Sequence, residues 1–130
     1  MKEHVEKQRQ EEHAVAVQQV YIQQEKLQSI ASEKQQTMES QRERMTGPLH
    51  PHQLLIASRY LVKLKRDTIT GSELLRALER EAEVRRTRLV EATKQKKIHE
   101  KLKEKQQQRF VSDIESHEKK ELDEIAVNGY

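Results

Sequence analysis

The chain has 130 residues, of which 33% are apolar and 36% charged, with one Phe, no Trp and three Tyr. That is too little oil to offset chain entropy in an ordinary globule, and the two classes that tolerate it are disordered chains and extended coiled coils. Three Gly and two Pro leave little to break a helix, so the second class is expected. The absence of cysteine excludes a disulfide scaffold, a thiol nucleophile and a cysteine-based zinc site. No apolar run approaches the ~20 residues of a membrane span. The opening MKEHVEKQRQEEH lacks the apolar centre of a signal peptide. A soluble, cytoplasmic protein is expected.

The formal charge of +3 conceals segregation. Residues 1–45 carry net −1, residues 53–84 net +1, residues 85–109 net +7 and residues 112–124 net −4. A basic band followed by an acidic band could steer a partner. A solvated helix surface is the preferred reading.

Helix one is predicted over about residues 1–45. Val17, Val20, Leu27, Ala31, Met38 and Met45 fit one heptad seam, diluted by Gln24, Lys34 and Gln41. The stretch TGPLHPH, residues 46–52, holds both Pro and one Gly and is the only strong breaker. Pro51 suits a helix's first turn. A connection this short folds two long helices antiparallel. Together they make one coiled-coil hairpin, all-α, with the second helix longer than the first.

Helix two is predicted over about residues 53–127, with Asn128–Gly129 as its stop. Its seam steps in threes and fours through Leu54, Ala57, Leu61, Leu64, Thr68, Gly71, Leu75, Leu78, Ala82, Arg85, Leu89 and Ala92. TITGS, residues 68–72, is a soft spot: Gly71 costs ~1 kcal/mol relative to Ala. Thr70 and Glu73 also resemble a capping box, which would split the helix. Continuity is preferred, with Gly71 facing Leu27 and Thr68 facing Ile30. This register exhausts helix one near position 98 and leaves residues 99–125 overhanging. The overhang carries a thinner apolar pattern, Leu102, Phe110, Val111, Ile114, Leu122 and Ile125, out of phase with the seam. The longer helix should measure roughly 105 Å.

No Gly-rich phosphate loop, nucleophile elbow, zinc-protease motif or calcium loop occurs. His50 and His52 flank Pro51 without carboxylates or Cys beside them, weak support for a metal, and the other histidines are scattered. A two-helix hairpin has no concave interior, so catalysis is not expected and no cofactor is assigned. The basic run KQKKIHEKLKEK, residues 94–105, is interleaved with glutamates and lacks stacking aromatics, so nucleic acid is not an expected partner. Leu55, Val62 and Ile69 recur every seven residues off the seam, with Ile56 and Tyr60 nearby. This set is either a docking surface or is buried by a rotated helix or a homodimer.

Two stretches resemble the FliJ family, coiled-coil proteins of the bacterial flagellar type III export apparatus. They are GPLHPHQLLIASRYLVKLKRD, residues 47–67, and HEKKELDEIA, residues 117–126. Length and two-helix layout match along nearly the whole chain. The resemblance implies a hairpin similar to the central stalk of rotary ATPases. It implies binding to the ring of the export ATPase, FliI, and to the gate protein FlhA, with FliH and export chaperones as further partners. It places the protein at the cytoplasmic face of the membrane, held there only through protein partners. On these residues, gate or chaperone contact is assigned to Leu55, Ile56, Tyr60, Val62, Leu64 and Ile69, and ATPase contact to the far end with its charged bands. Many members open with alternating aromatic and basic residues before helix one, whereas this chain starts at MKEHVEKQRQ. A shortened or trimmed start is implied, and the missing residues would pair with part of the overhang. A virulence-type secretion stalk is a close alternative. A prefoldin-like holding chaperone needs β-hairpins between its helices, and seven turn residues leave no room for them.

Overall fold

A computed structural model describes residues 2–48 and 50–128. Its elements are two helices, α1 (Lys2–Met45) and α2 (Pro51–Asn128). At 1.5 Å per residue they measure about 66 Å and about 117 Å. They run antiparallel, because partner numbers fall along α2 as they rise along α1. Lys96 pairs with Glu6, Arg85 with Glu12, Gly71 with Gln23 and Tyr60 with Glu33. The fold is the expected hairpin with a longer second arm.

The reversal is built from local bonds. α1 tightens as it ends: the Thr46 and Gly47 amides donate to the Glu43 and Arg44 carbonyls, three residues back. The Thr46 hydroxyl caps the Glu43 carbonyl at 2.6 Å. Arg42 and Arg44 stand in the last turn, where the helix dipole favours cations. Among the described residues none has positive φ, so proline rather than a left-handed glycine turns the chain. α2 begins at Pro51, two residues before the predicted start. The His50 carbonyl accepts its first helical bond from the Leu54 amide, 3.1 Å away, and Pro51 needs no amide partner at that position. Leu49 and the expected stop residue Gly129 lie outside the described residues.

α2 passes through Gly71 unbroken. Thr68 bonds back to the Leu64 carbonyl at 2.8 Å, which is compatible with a helix interior. A methyl group added at Gly71 would stand 2.7 Å from Leu27 Cδ2 and 3.2 Å from Gln23 Nε2. The close approach of α1 explains the glycine, and the expected pairing of Gly71 with Leu27 is present.

The α2 seam is as predicted from Leu54 to Ala92, except that Thr68 is exposed, and Lys96 extends it. Leu54, Ala57, Leu61, Leu75, Leu78, Ala82 and Leu89 are half-buried and Leu64 is only 3% exposed. The α1 seam differs. Val20 and Leu27 are half-buried on it, but Val17, Ala31, Met38 and Met45 are exposed. In their place the seam holds Ala16 (6% exposed), Gln23 (7% exposed), Ile30 and Thr37, while Gln41, already on the expected seam, is half-buried. Two heptad patterns share the line through Val20 and Leu27, one with residues 17, 24, 31 and 38, the other with 16, 23, 30 and 37. The first is more apolar. The second wins because it lets Gln23 donate to the Gly71 carbonyl at 3.1 Å and sets Leu27 against the glycine.

Candidate interaction surfaces

The hairpin offers flanks and ends rather than a pocket. One flank is defined by Tyr60, whose hydroxyl donates to Glu33 Oε2 at 2.8 Å across the two helices. This bond, first, and the nearby carboxylates of Glu33 and Asp67 push the Tyr60 phenol above its ordinary 10.0, so it stays a neutral donor. Ile56 lies on the same flank. It lines a shallow groove of about 420 Å³ with Tyr60 and with Gln36 and Ser40 of α1.

Leu55, Val62 and Ile69 lie on the opposite flank. Each follows a seam position by one residue, a turn of about 100°. All three are exposed, as is Ile56, whereas Tyr60 is half-buried. The structure therefore divides the six residues assigned to partner contact. Leu64 is enclosed in the seam and leaves the set. Ile56 and Tyr60 face one side, and Leu55, Val62 and Ile69 the other.

Helical geometry adds residues that sequence reasoning had placed in the seam. Ala31 and Met38 follow the seam positions Ile30 and Thr37 by one residue, Met45 lies one heptad beyond Met38, and antiparallel packing turns all three to the flank of Leu55, Val62 and Ile69. Both helices thus contribute to one apolar flank near the turn, with exposed methionines that can adapt to irregular surfaces. The heptad spacing held this signal, but only a correct α1 phase could reveal it.

At the other end, charge closes the hairpin. Glu12 meets Arg9 at 3.0 Å and Arg85 at 3.2 Å. The Arg9 hydrogen bond, followed by the two guanidinium charges, holds the Glu12 carboxyl below its usual 4.5. Lys96 and Glu6, 3.6 Å apart, form the last cross-helix pair. From Lys97 to Asn128 every residue is exposed. This is the expected overhang, and it starts two residues earlier than predicted. Among the described residues no helix is long and apolar enough to cross a membrane.

Comparison with known families bears on this architecture directly. The family model described as flagellar FliJ protein matches residues 1–130, the whole chain. The chain belongs to the FliJ family. It is therefore a flagellar export-related protein, and the family likeness carried by GPLHPHQLLIASRYLVKLKRD and HEKKELDEIA extends to its full length. No curated protein and no solved structure matches this family member.

Proposed function

We propose that this FliJ-family chain is a non-enzymatic stalk of the bacterial flagellar export apparatus. It binds the FliI ring, promotes ring assembly, and couples the ring to FlhA and to export chaperones, with FliH as a further partner, at the cytoplasmic face of the membrane. The observation that carries the reading is the whole-length family match, together with a stiff hairpin whose two ends differ in chemistry. Helix pairing supplies stiffness over tens of ångströms, and no metal, cofactor or reacting group enters the mechanism. The turn end offers the apolar flank of Met38, Met45, Leu55, Val62 and Ile69 to FlhA or a chaperone. The far end offers its basic and acidic bands to the ATPase ring.

Retention of the export ATPase on the immobilised chain, from a lysate of a flagellated bacterium, tests the stalk role; an ATPase that passes through unretained counts against it. Val62→Glu tests the flank. Because Val62 is exposed and lies outside both the seam and the turn, FlhA or chaperone binding should be lost while far-UV helicity stays native. Full binding by the variant would move the contact elsewhere.

A further inference from the structure

Four apolar residues of the overhang follow a different period from the hairpin. Val111 and Leu122 are eleven residues apart, and so are Ile114 and Ile125. An 11-residue repeat keeps residues on one face of a nearly straight helix. The same stepping, in intervals of four, four and three, runs back through Gln107 and Lys103 to Lys96, the last residue of the hairpin seam. In this structure the face that packs against α1 therefore continues into the overhang uncovered, and its apolar side chains, such as Leu122 and Ile125 at 66% each, stand bare.

Two features identify an occupant. The intervals between face positions from Glu100 to Ile125 read the same in both directions, so a two-fold axis between Ser112 and Asp113 superposes the layers of one copy on those of another. Charge obeys the same centre. Residues 97–112 hold five basic and two acidic side chains, and residues 113–128 hold two basic and six acidic. Antiparallel pairing of two copies lays each basic half along the other's acidic half, whereas parallel pairing sets like against like. Val111 and Ile114 of both copies meet at the axis, flanked by Phe110. The overlap from Lys97 to Asn128 is about 48 Å long.

We propose that the overhang is a self-association surface, through which two hairpins join tail to tail by an antiparallel, two-fold pairing centred between Ser112 and Asp113. The second copy's tail runs parallel to α1 and continues the hairpin's two-helix rod beyond Lys96. The pairing does not depend on the export role, and its test uses the purified full chain alone.

Sedimentation equilibrium at about 0.1 M salt, where charges are screened over ~10 Å, should show the mass rise with concentration from 15.4 kDa to twice that value. At about 1 M salt the screening length falls to ~3 Å and dimerisation should weaken. Val111→Lys with Ile114→Lys should raise the dimer Kd by at least tenfold while the hairpin melts as before, and Val62→Glu should dimerise normally. The chain has no cysteine, so Lys97→Cys carrying a donor dye can be mixed with Asn128→Cys carrying an acceptor. Tail-to-tail antiparallel pairing brings the dyes together, whereas parallel pairing leaves them about 47 Å apart along the axis. A chain monomeric at every concentration, a dimer indifferent to the double lysine variant, or dyes held far apart would overturn the proposal.

Discussion

The zipped part of α2, up to Lys96, and its free part, from Lys97 to Asn128, belong to one unbroken helix and carry similar helix-forming residues, yet their apolar side chains meet different fates. In the zipped part Leu64 is enclosed, and Leu61, Leu75 and Leu78 are half-covered by α1. In the free part Leu102, Phe110, Val111, Ile114, Leu122 and Ile125 are all exposed. The contrast teaches that helix propensity extends the rod, while burial stabilises only the length that has a partner.

The sharpest way to break the comparison is Leu64→Asp, which puts a charge into the most enclosed seam position. It should destabilise the hairpin by about 3–5 kcal/mol in thermal melts followed by circular dichroism. Val127→Asp, on the bare tail, should stay within about 0.5 kcal/mol of the parent. Equal losses at the two sites would mean that the tail is packed in the same cooperative unit.

Next in size is Gly71→Leu, which overfills the space held by Leu27 and Gln23 and should cost about 1–3 kcal/mol. Gly71→Ala in a Leu27→Ala background removes the tighter of the two contacts and leaves only the flexible end of Gln23, and the gain in helix propensity should then appear as up to ~1 kcal/mol of stabilisation. A double-mutant cycle that shows no coupling would separate the two helices at this level.

Hydrogen exchange on dilute protein sharpens the boundary. Amides from 54 to 96 should be protected and those beyond Lys97 should exchange much faster, because an unpartnered helix frays. Equal protection on both sides of Lys96 would contradict a free tail.

The smallest expected effect is pH dependence at the zipped end. The Glu12 carboxyl is held below 4.5 in the hairpin, so its contribution is complete above about that pH and is lost as pH falls through the lowered value. The melting temperature should drop in that acid range, and Glu12→Gln should flatten the step. An unchanged step in the variant would assign it to other carboxylates, such as Glu83, which Arg86 holds low in the same way.

Much of the fold was legible because its causes are local. Both proline residues and the tolerance of every other segment for helix fixed one reversal. The regular leucines and alanines of α2 fixed its seam. The α1 phase was not legible, because two heptad patterns share Val20 and Leu27, and apolar content ranks Met38 above Thr37. The docking flank was half legible for the same reason: Leu55, Val62 and Ile69 stand out in sequence, while Met38 and Met45 join them only once α1 is rotated correctly.

By itself the sequence determined two helices, their order and the unequal arms, since helix propensity, proline sterics and chain length act residue by residue. Tertiary packing alone decided which side of α1 is buried. Gly71 admits α1 closely at one level, Gln23 reaches its carbonyl there, and the phase set by that contact turns Ala16 and Thr37 inward at the expense of the more apolar Val17 and Met38.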